Sequence, residues 1–162
     1  MARWWRHFIC GLTGRKYFPA VVLDTIQKII TAGESKHLGE ICVVIERALP
    51  LVDLSKKVSA RQRANALFSH LRVWDTERNN GVLIYILLAD RAIEIVADRG
   101  ITATVPQKEW DDICVQMRAA FAEDRFMEGM KTGVIAVQQL LIQHFPDSEK
   151  SINEIEDRPV LL

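Results

Sequence analysis

An unbroken apolar run at residues 82–88 constrains this chain more than any other part of its sequence. The run is rich in β-branched residues and is shorter than the roughly 20 apolar residues that cross a membrane, so we expect a strand buried on both faces. The charged segment 89–92 then favours a tight turn, and residues 93–97 resume with partial alternation of apolar and polar side chains. This pattern predicts a β-hairpin whose second strand lies nearer the edge of the sheet.

Two upstream segments extend this hairpin into a mixed sheet. Residues 41–45 form a second continuous apolar run, and Ser59 and Gln62 have the spacing of a capping box at the start of a helix. A strand, a helix and the central strand in that order make a βαβ unit with parallel strands and a right-handed crossover. We therefore predict an α/β fold, a three-layer α/β/α sandwich around a small mixed β-sheet built from a βαβ unit plus a β-hairpin.

Apolar residues at helical spacing predict further helices before and after this unit. Pro19 suits the first position of one helix, Thr104 opens a second capping box, and Asp124 suits the N-cap of the last helix. In that last helix Gly129 and Gly133 permit the close approach of a neighbouring backbone. The buried stripes are expected to be Val22, Ile26, Ile29 and Ile30, then Trp110, Ile113, Cys114, Met117 and Phe121, and finally Met130, Val134, Val137, Leu141 and His144.

Composition divides the 162 residues into three parts. Residues 1–18 form a basic and aromatic N-terminal arm, residues 19–146 the α/β domain, and residues 147–162 a polar C-terminal tail with an apolar tip. The arm lacks the features of a signal peptide and no transmembrane segment follows, so we expect a cytoplasmic protein. The arm has two interpretations: its arginines and tryptophans rest on the inner face of a membrane, or its tryptophans pack on the domain.

The balance of charges narrows the classes of partner. Lysine and arginine together number 21, as do aspartate and glutamate, and this balance argues against a nucleic-acid partner. The three cysteines are widely spaced and show no zinc-binding pattern, so we expect free thiols in a reducing compartment.

The predicted topology brings polar segments together at one end of the sheet. The starts of the two parallel strands and the end of the hairpin share that end. The candidate site residues there are His37, Glu40, Asp75, Thr76, Arg78, Asn79, Asn80, Asp98, Arg99 and Gly100. Side-chain oxygens suit calcium or magnesium, so the predicted metal ligands are Asp75, Asn79, Asn80 and Asp98.

Each of these residues also has a purely structural interpretation. The asparagines before Gly81 tolerate left-handed backbone and suit a turn, Asp75 and Thr76 can cap local backbone, and Asp98 can pair with an arginine. The sequence contains no glycine-rich phosphate loop, no Cys-x5-Arg and no Asp-x-Asp. No local pattern therefore identifies a catalytic mechanism.

Several of these segments together resemble the TPM domain family. The resemblance rests on residues 79–84, on residues 94–101, and on residues 126–130 with Gly133. It implies an α/β/α sandwich, a link to photosystem repair in plant and cyanobacterial members, and a link to membrane proteins in bacteria. It also implies, for some members, acid phosphatase activity or binding of divalent metal, often calcium. The chain looks like a short, unanchored bacterial version.

This sequence departs from the family pattern at two places. The usual Gly-Tyr-Gly is replaced by residues 98–100, and a family aspartate before the following helix is absent from residues 104–106. The leading expectation is a TPM-like domain that binds calcium or magnesium, or a partner protein, and assists a membrane-associated complex. The alternative is a metal-assisted acid phosphatase acting on phosphate monoesters, in which Arg78 and Arg99 contact the phosphate. A third reading is a structural interaction module.

Overall fold

A computed structural model describes residues 3–13, 17–146 and 153–162. Its centre is a four-stranded sheet in the order β3-β2-β1-β4. The strands are β1 (Glu40–Glu46), β2 (Gly81–Leu87), β3 (Ala92–Ala97) and β4 (Val160–Leu161). The helices are α1 (Arg3–Thr13), α2 (Ala20–Glu34), α3 (Leu51–Ser55), α4 (Ala60–His70), α5 (Arg99–Thr102), α6 (Gln107–Ala122) and α7 (Phe126–His144).

Strands β1 and β2 form the buried parallel pair that the two apolar runs predict. Glu40 lies opposite Gly81, and the pairing continues to Glu46 opposite Leu87. Every residue of both strands is buried. Strand β3 returns antiparallel to β2, and α4 begins at Ser59 with the predicted capping box. The βαβ unit and the hairpin are therefore confirmed.

Helices cover both faces of the sheet, which confirms the α/β/α sandwich. Apolar side chains from α2, α6 and α7 pack on one face, and α4 packs on the other. The buried stripes of these helices agree with those predicted from spacing, except that Ile29 and His144 are only partly buried. A Cβ at Gly133 would lie 2.3 Å from the sulfur of Met117, so the small residue lets α7 approach α6 closely.

Two predicted helix starts are wrong. Helix α6 has Pro106 as its N-cap, and the backbone N–H of Thr104 instead donates to Ile101 in the turn after α5. Helix α7 has Arg125 as its N-cap, while Asp124 has a φ of +57° and closes the turn after α6. In both cases the preceding helix determines the backbone conformation, and the side chain makes no cap.

The end of the polar tail joins the sheet, which its composition did not predict. Strand β4 runs parallel to β1, with Val160 opposite Val44. The N–H of Leu162 donates to Ile45 at 2.9 Å, and the N–H of Arg47 donates to Leu162 at 3.1 Å. These bonds pair backbone groups at an edge of β1 that would otherwise be open. Residues 147–152 of the tail lie outside the described residues.

The N-terminal arm forms α1, which packs on the domain through its polar side. Arg3 forms an ion pair with Asp90, and His7 accepts a hydrogen bond from the N–H of Leu49. The two tryptophans of α1 are each about half exposed and line a groove with Leu54 of the domain. The arm therefore packs on the domain, and contact of its tryptophans with a membrane stays a prediction. Among the described helices, none is both long enough and apolar enough to span a membrane.

Candidate functional site

The polar segments converge at one end of the sheet, as the topology predicts. Glu40, at the start of β1, lies opposite Gly81, at the start of β2. On the other side of β2, the N–H of Asp98 donates to the carbonyl of Gly81 at 2.9 Å. We call this region, where β1 and β2 begin and β3 ends, the polar end of the sheet.

Asp98 is a buried carboxylate at the polar end. It is only 8% exposed, and its Oδ1 accepts a hydrogen bond from the N–H of Arg99 at 2.6 Å, at the start of α5. Its Oδ2 is buried and has no hydrogen-bond partner among the described residues. A buried carboxylate oxygen without a partner costs stability, because it has lost water and gained nothing in return.

The loop before β2 combines structural hydrogen bonds with a second unpartnered oxygen. Thr76 Oγ1 accepts from the N–H of Asn80 at 3.0 Å, and Asn79 has a φ of +52°. The structural interpretations of Thr76 as a cap and of Asn79 as a turn residue are thus confirmed. Asn80 Nδ2 donates to the carbonyl of Leu38, whereas its Oδ1 is buried without a hydrogen-bond partner in the described structure.

Gly100 lets α5 approach the loop before β2. A Cβ at this position would lie 2.5 Å from the carbonyl oxygen of Asn79 and 2.9 Å from that of Arg78. The N–H of Gly100 donates to Asn79 O at 3.1 Å, and Arg99 Nε donates to Asn79 Oδ1 at 2.9 Å. The side chains of Arg78 and Arg99 are exposed. Two carbonyl oxygens and two exposed guanidinium groups therefore accompany Asp98.

Asp75 lies apart from this group. It is exposed and lines a groove of about 310 Å³ with Cys42 of β1 and Val160 of β4. Asp98 follows β3, and β2 separates β3 from β1 in the sheet. The two predicted acidic ligands consequently lie on opposite sides of β2.

Glu40 and His37 also belong to the β1 side of the polar end. Glu40 is 3% exposed, and its Oε2 accepts hydrogen bonds from the N–H groups of Glu154 and Ile155, each at 3.3 Å. His37 is 1% exposed and forms a β-bridge with Pro146. Both side chains lie in the interior, where they meet the returning tail and the end of α7.

A cluster of buried carboxyl groups, which the sequence did not indicate, adjoins Glu40. Glu34 Oε1 accepts from the N–H of Ile41 at 3.1 Å, and Asp157 Oδ1 accepts from Asn153 at 2.6 Å. Burial, together with the neighbouring carboxylates of Asp157 and Glu40, raises the pKa of Glu34 to about 9. Burial also raises the pKa of Glu40. Only the return of the tail brings Asp157 here, so spacing in the sequence could not reveal this cluster.

At the opposite end of the parallel strands, a cavity of about 540 Å³ lies where β2 ends, lined by Leu87, Leu88 and Ala89 among others. Ligands in open α/β sheets commonly bind beyond the carboxyl ends of the strands. Here Glu46, the last residue of β1, is 2% exposed and accepts hydrogen bonds from Tyr85 and Arg63, and α1 covers the segments that follow. Protein side chains therefore fill the carboxyl end of β1, whereas the cavity remains at the carboxyl end of β2.

The donors at the polar end fit a hard cation better than zinc. Within residues 3–13, 17–146 and 153–162, no three His, Cys, Asp or Glu side chains are grouped as a metal centre. A cation held beside Asp98 would need amide and carbonyl oxygens to complete its shell, and the loop before β2 offers both. Such mixed oxygen sets are typical of calcium and magnesium sites.

Comparison with known proteins places these features in a family. Residues 16–140 match the family model described as the TPM domain. The NMR structure of the BA42 protein from the psychrophilic bacterium Bizionia argentinensis superposes with a TM-score of 0.77 at 26% identity, over 88% of this chain and 94% of that one.

A second solved structure has the same fold. The N-terminal domain of a P. gingivalis protein, solved by NMR in solution, superposes with a TM-score of 0.64 at 21% identity, over 81% of this chain and 82% of that domain. No curated protein matches the sequence.

Proposed function

The chain belongs to the TPM domain family, and we propose that it binds a calcium or magnesium ion at the polar end of its sheet. One observation carries this proposal: Asp98 Oδ2 and Asn80 Oδ1 are both buried, and neither has a hydrogen-bond partner in the described part of the chain. A carboxylate oxygen and an amide oxygen both accept hydrogen bonds and both bind cations, so a cation or a water would satisfy them. The carbonyl oxygens of Arg78 and Asn79, which approach α5 at Gly100, would supply further donors.

The donor set limits the expected affinity. Within the described ranges, Asp98 is the one carboxylate placed beside the loop carbonyls. Calcium affinity rises with the number of charged ligands. The nearby guanidinium of Arg99 adds a positive charge that opposes a cation. We therefore expect a dissociation constant on the order of 10⁻⁴–10⁻³ M, as in weak calcium modules.

A thermal melt of chelator-stripped protein, titrated with calcium, magnesium, manganese and zinc, tests the proposal. At about 100 times the dissociation constant, a bound ion adds about 2.7 kcal/mol, which raises the Tm of a domain of this size by several degrees. Asp98→Asn keeps the size of the side chain and an oxygen for the N–H of Arg99 but removes the charge, so the shift should disappear. The matched control is Asp75→Asn, which should keep the full shift.

Three outcomes would contradict this site. The first is that no ion shifts the Tm. The second is that the shift in Tm remains in Asp98→Asn, and the third is that Asp75→Asn abolishes the shift. The last result would move the ion to the β1 side of the polar end.

We propose further that the bound ion helps to hold a partner protein of a membrane-associated complex, with this chain in the cytoplasm at the inner face of the membrane. The exposed side chains of Arg78 and Arg99 next to the ion would give the contact surface its charge. The expected result is co-purification of a membrane protein with the wild type that chelator or Asp98→Asn abolishes. Recovery of the same proteins with Asp98→Asn would contradict it.

A metal-assisted phosphatase at the same loops is the second candidate, favoured by the position of Arg99. Its Nε lies 2.9 Å from Asn79 Oδ1, so a guanidinium that suits phosphate lies close to the proposed cation ligands. A divalent ion would supply activated water for hydrolysis of a phosphate monoester. Turnover of a generic monoester should be lost in Asp98→Asn and reduced in Arg99→Gln, whereas Arg91→Gln, in the β2–β3 turn at the far end of the sheet, should retain it. Turnover that survives Asp98→Asn would exclude this mechanism.

A further inference from the structure

Helix α1 turns its apolar side away from the domain. The side chains that face the domain are Arg3 and His7, with Cys10 packed against the core. The outward side carries five large apolar residues that are between 39% and 72% exposed. They are Trp4, Trp5, Phe8, Ile9 and Leu12. A helix on the surface of a globular protein normally buries its apolar stripe, so this orientation is the reverse of the usual one.

Specific contacts hold α1 in this orientation. Arg3 Nη2 lies 2.7 Å from Asp90 Oδ2 and donates to the carbonyl of Val58, also at 2.7 Å. His7, 3% exposed, accepts a hydrogen bond from the N–H of Leu49 at 3.0 Å and has its Nε2 3.1 Å from Asp90. Rotation of the helix to bury its apolar side would break these contacts and leave Asp90 without its cations.

The exposed apolar surface continues from α1 onto α3. Leu51 is 72% exposed and Val52 is 61% exposed at the start of α3. Side chains of the two helices line a groove of about 420 Å³ that includes Trp4 and Leu51. Trp5 and Phe8 stack with ring centroids 5.7 Å apart. We call this surface, formed by Trp4, Trp5, Phe8, Ile9, Leu12, Leu51 and Val52, the α1–α3 face.

The charges beside the α1–α3 face are mainly positive. Arg6 lies on α1, and Lys56 and Lys57 directly follow α3; all three side chains are exposed. Asp90 pairs with both Arg3 and Arg6, and Asp53 shares Arg63 with the buried Glu46. The exposed Lys56 and Lys57 therefore supply most of the positive charge that faces an anionic surface.

We propose that the α1–α3 face binds the surface of an anionic lipid bilayer, with α1 lying in the headgroup region. Tryptophan and phenylalanine next to lysine and arginine are typical of helices that lie in a membrane interface. The alternative of a second copy of this chain fits less well, because seven exposed side chains are far fewer than the 20–30 residues per partner, roughly, of a standard protein interface. The cationic rim would also oppose a symmetric pairing of two such faces.

This orientation leaves the polar end free. Helix α1 covers the segments after β1 and β2, whereas Asp98 and Asn80 lie where β2 begins. Seven residues of strand at about 3.3 Å each separate the two ends by roughly 23 Å. Membrane docking would therefore hold the polar end away from the bilayer, towards the surrounding solution. The docking does not require the proposed cation, so either proposal can fail without the other.

Co-sedimentation with vesicles tests the proposal. The full chain should bind vesicles that contain about 30% phosphatidylglycerol in phosphatidylcholine and should bind pure phosphatidylcholine more weakly. Trp4→Ser combined with Phe8→Ser should weaken binding at least about tenfold, since both side chains would lose their burial in lipid. Lys56→Gln and Lys57→Gln should each weaken binding to the anionic vesicles about fivefold.

The matched control is Trp74→Ser. Trp74 is 49% exposed, much like Trp4, but it lies in the loop between α4 and β2, near the polar end. This variant should bind vesicles as the wild type does. Because Trp4 and Phe8 are exposed, the double variant should also keep the wild-type Tm, which separates lost docking from lost folding.

Several results would overturn the proposal. They are no binding to anionic vesicles, equal binding by wild type and the Trp4/Phe8 double variant, or an equal loss of binding in Trp74→Ser. A dimer in solution that the double variant abolishes, with no vesicle binding, would assign the face to a second copy of the chain instead.

Discussion

Arg63 donates two hydrogen bonds to the buried carboxylate of Glu46, from Nε to Oε2 at 3.0 Å and from Nη2 to Oε1 at 2.7 Å. The same carboxylate accepts the hydroxyl of Tyr85 at 2.6 Å. Hydrogen bonding to Glu46 also raises the pKa of Arg63. These contacts connect α4 to the carboxyl ends of β1 and β2. Many α/β proteins bind ligands beyond the carboxyl ends of their strands, but here a structural ion pair occupies that position at β1.

We predict that Arg63→Met destabilises the protein by about 3–5 kcal/mol, because it leaves the Glu46 carboxylate buried without its cation. The control is Arg61→Met on the same helix, whose ion pair with Glu94 is partly exposed and 3.6 Å long. That change should cost about 1 kcal/mol or less. Urea unfolding of both variants measures the difference. Similar free energies of unfolding would show that the Glu46 pair contributes little.

The raised pKa of Glu34 predicts how stability depends on pH. Burial raises this pKa to about 9, whereas the carboxyl group in the unfolded chain has its ordinary pKa of 4.5. Between these values the folded state keeps a proton that the unfolded state releases, so stability from this group falls as pH rises through the window. Glu34→Gln keeps an oxygen for the N–H of Ile41 and needs no proton.

We therefore expect Glu34→Gln to be more stable than the wild type at about pH 8 and to show a smaller loss of stability between about pH 5 and pH 8. Denaturant unfolding at the two pH values measures both effects. Glu123→Gln is the control, because that side chain is 66% exposed. This change should leave the pH dependence of the free energy of unfolding as it is in the wild type. If the free energy of unfolding of Glu34→Gln changes with pH as much as that of the wild type, Glu34 is ionised in the folded protein.

Two glycine substitutions should have opposite effects. At Gly100 a Cβ would lie 2.5 Å from the backbone oxygen of Asn79, so Gly100→Ala should displace the loop before β2 and cost about 1–3 kcal/mol. At Gly11, inside α1, a Cβ would meet only the Cβ of Ala48 at 3.9 Å. Gly11→Ala should stabilise α1 by up to about 1 kcal/mol, because alanine is the better helix former.

Chemical denaturation of the two alanine variants shows whether each change raises or lowers the free energy of unfolding. A calcium titration of Gly100→Ala, followed by its Tm, adds a second measurement. If the loop carbonyls contribute to a cation site, that variant should also lose most of the ion-dependent rise in Tm. A stable Gly100→Ala protein with wild-type backbone signals around Asn79 would contradict the close approach.

Local patterns predicted much of the fold for a clear physical reason. The apolar runs around Val43 and Ile84 must be buried on both sides, and helical spacing marks which side of α6 and α7 faces the sheet. The crossover through α4 makes β1 and β2 parallel, and the hairpin places the end of β3 beside the start of β2. The predicted helix starts at Thr104 and Asp124 are wrong because both residues lie in the turn that ends the preceding helix. No short motif specifies the geometry of such a turn.

The sequence by itself therefore determined the layers, the sheet topology and the location of the polar end. Tertiary structure alone decided that β2 separates Asp75 from Asp98, that Val160 and Leu161 complete the sheet, and that α1 faces outward. The reason is the distance along the sequence over which each interaction acts. Periodicity and capping act over a few neighbouring residues, whereas these outcomes depend on contacts between distant segments, such as Arg3 with Asp90, whose energies no local pattern encodes.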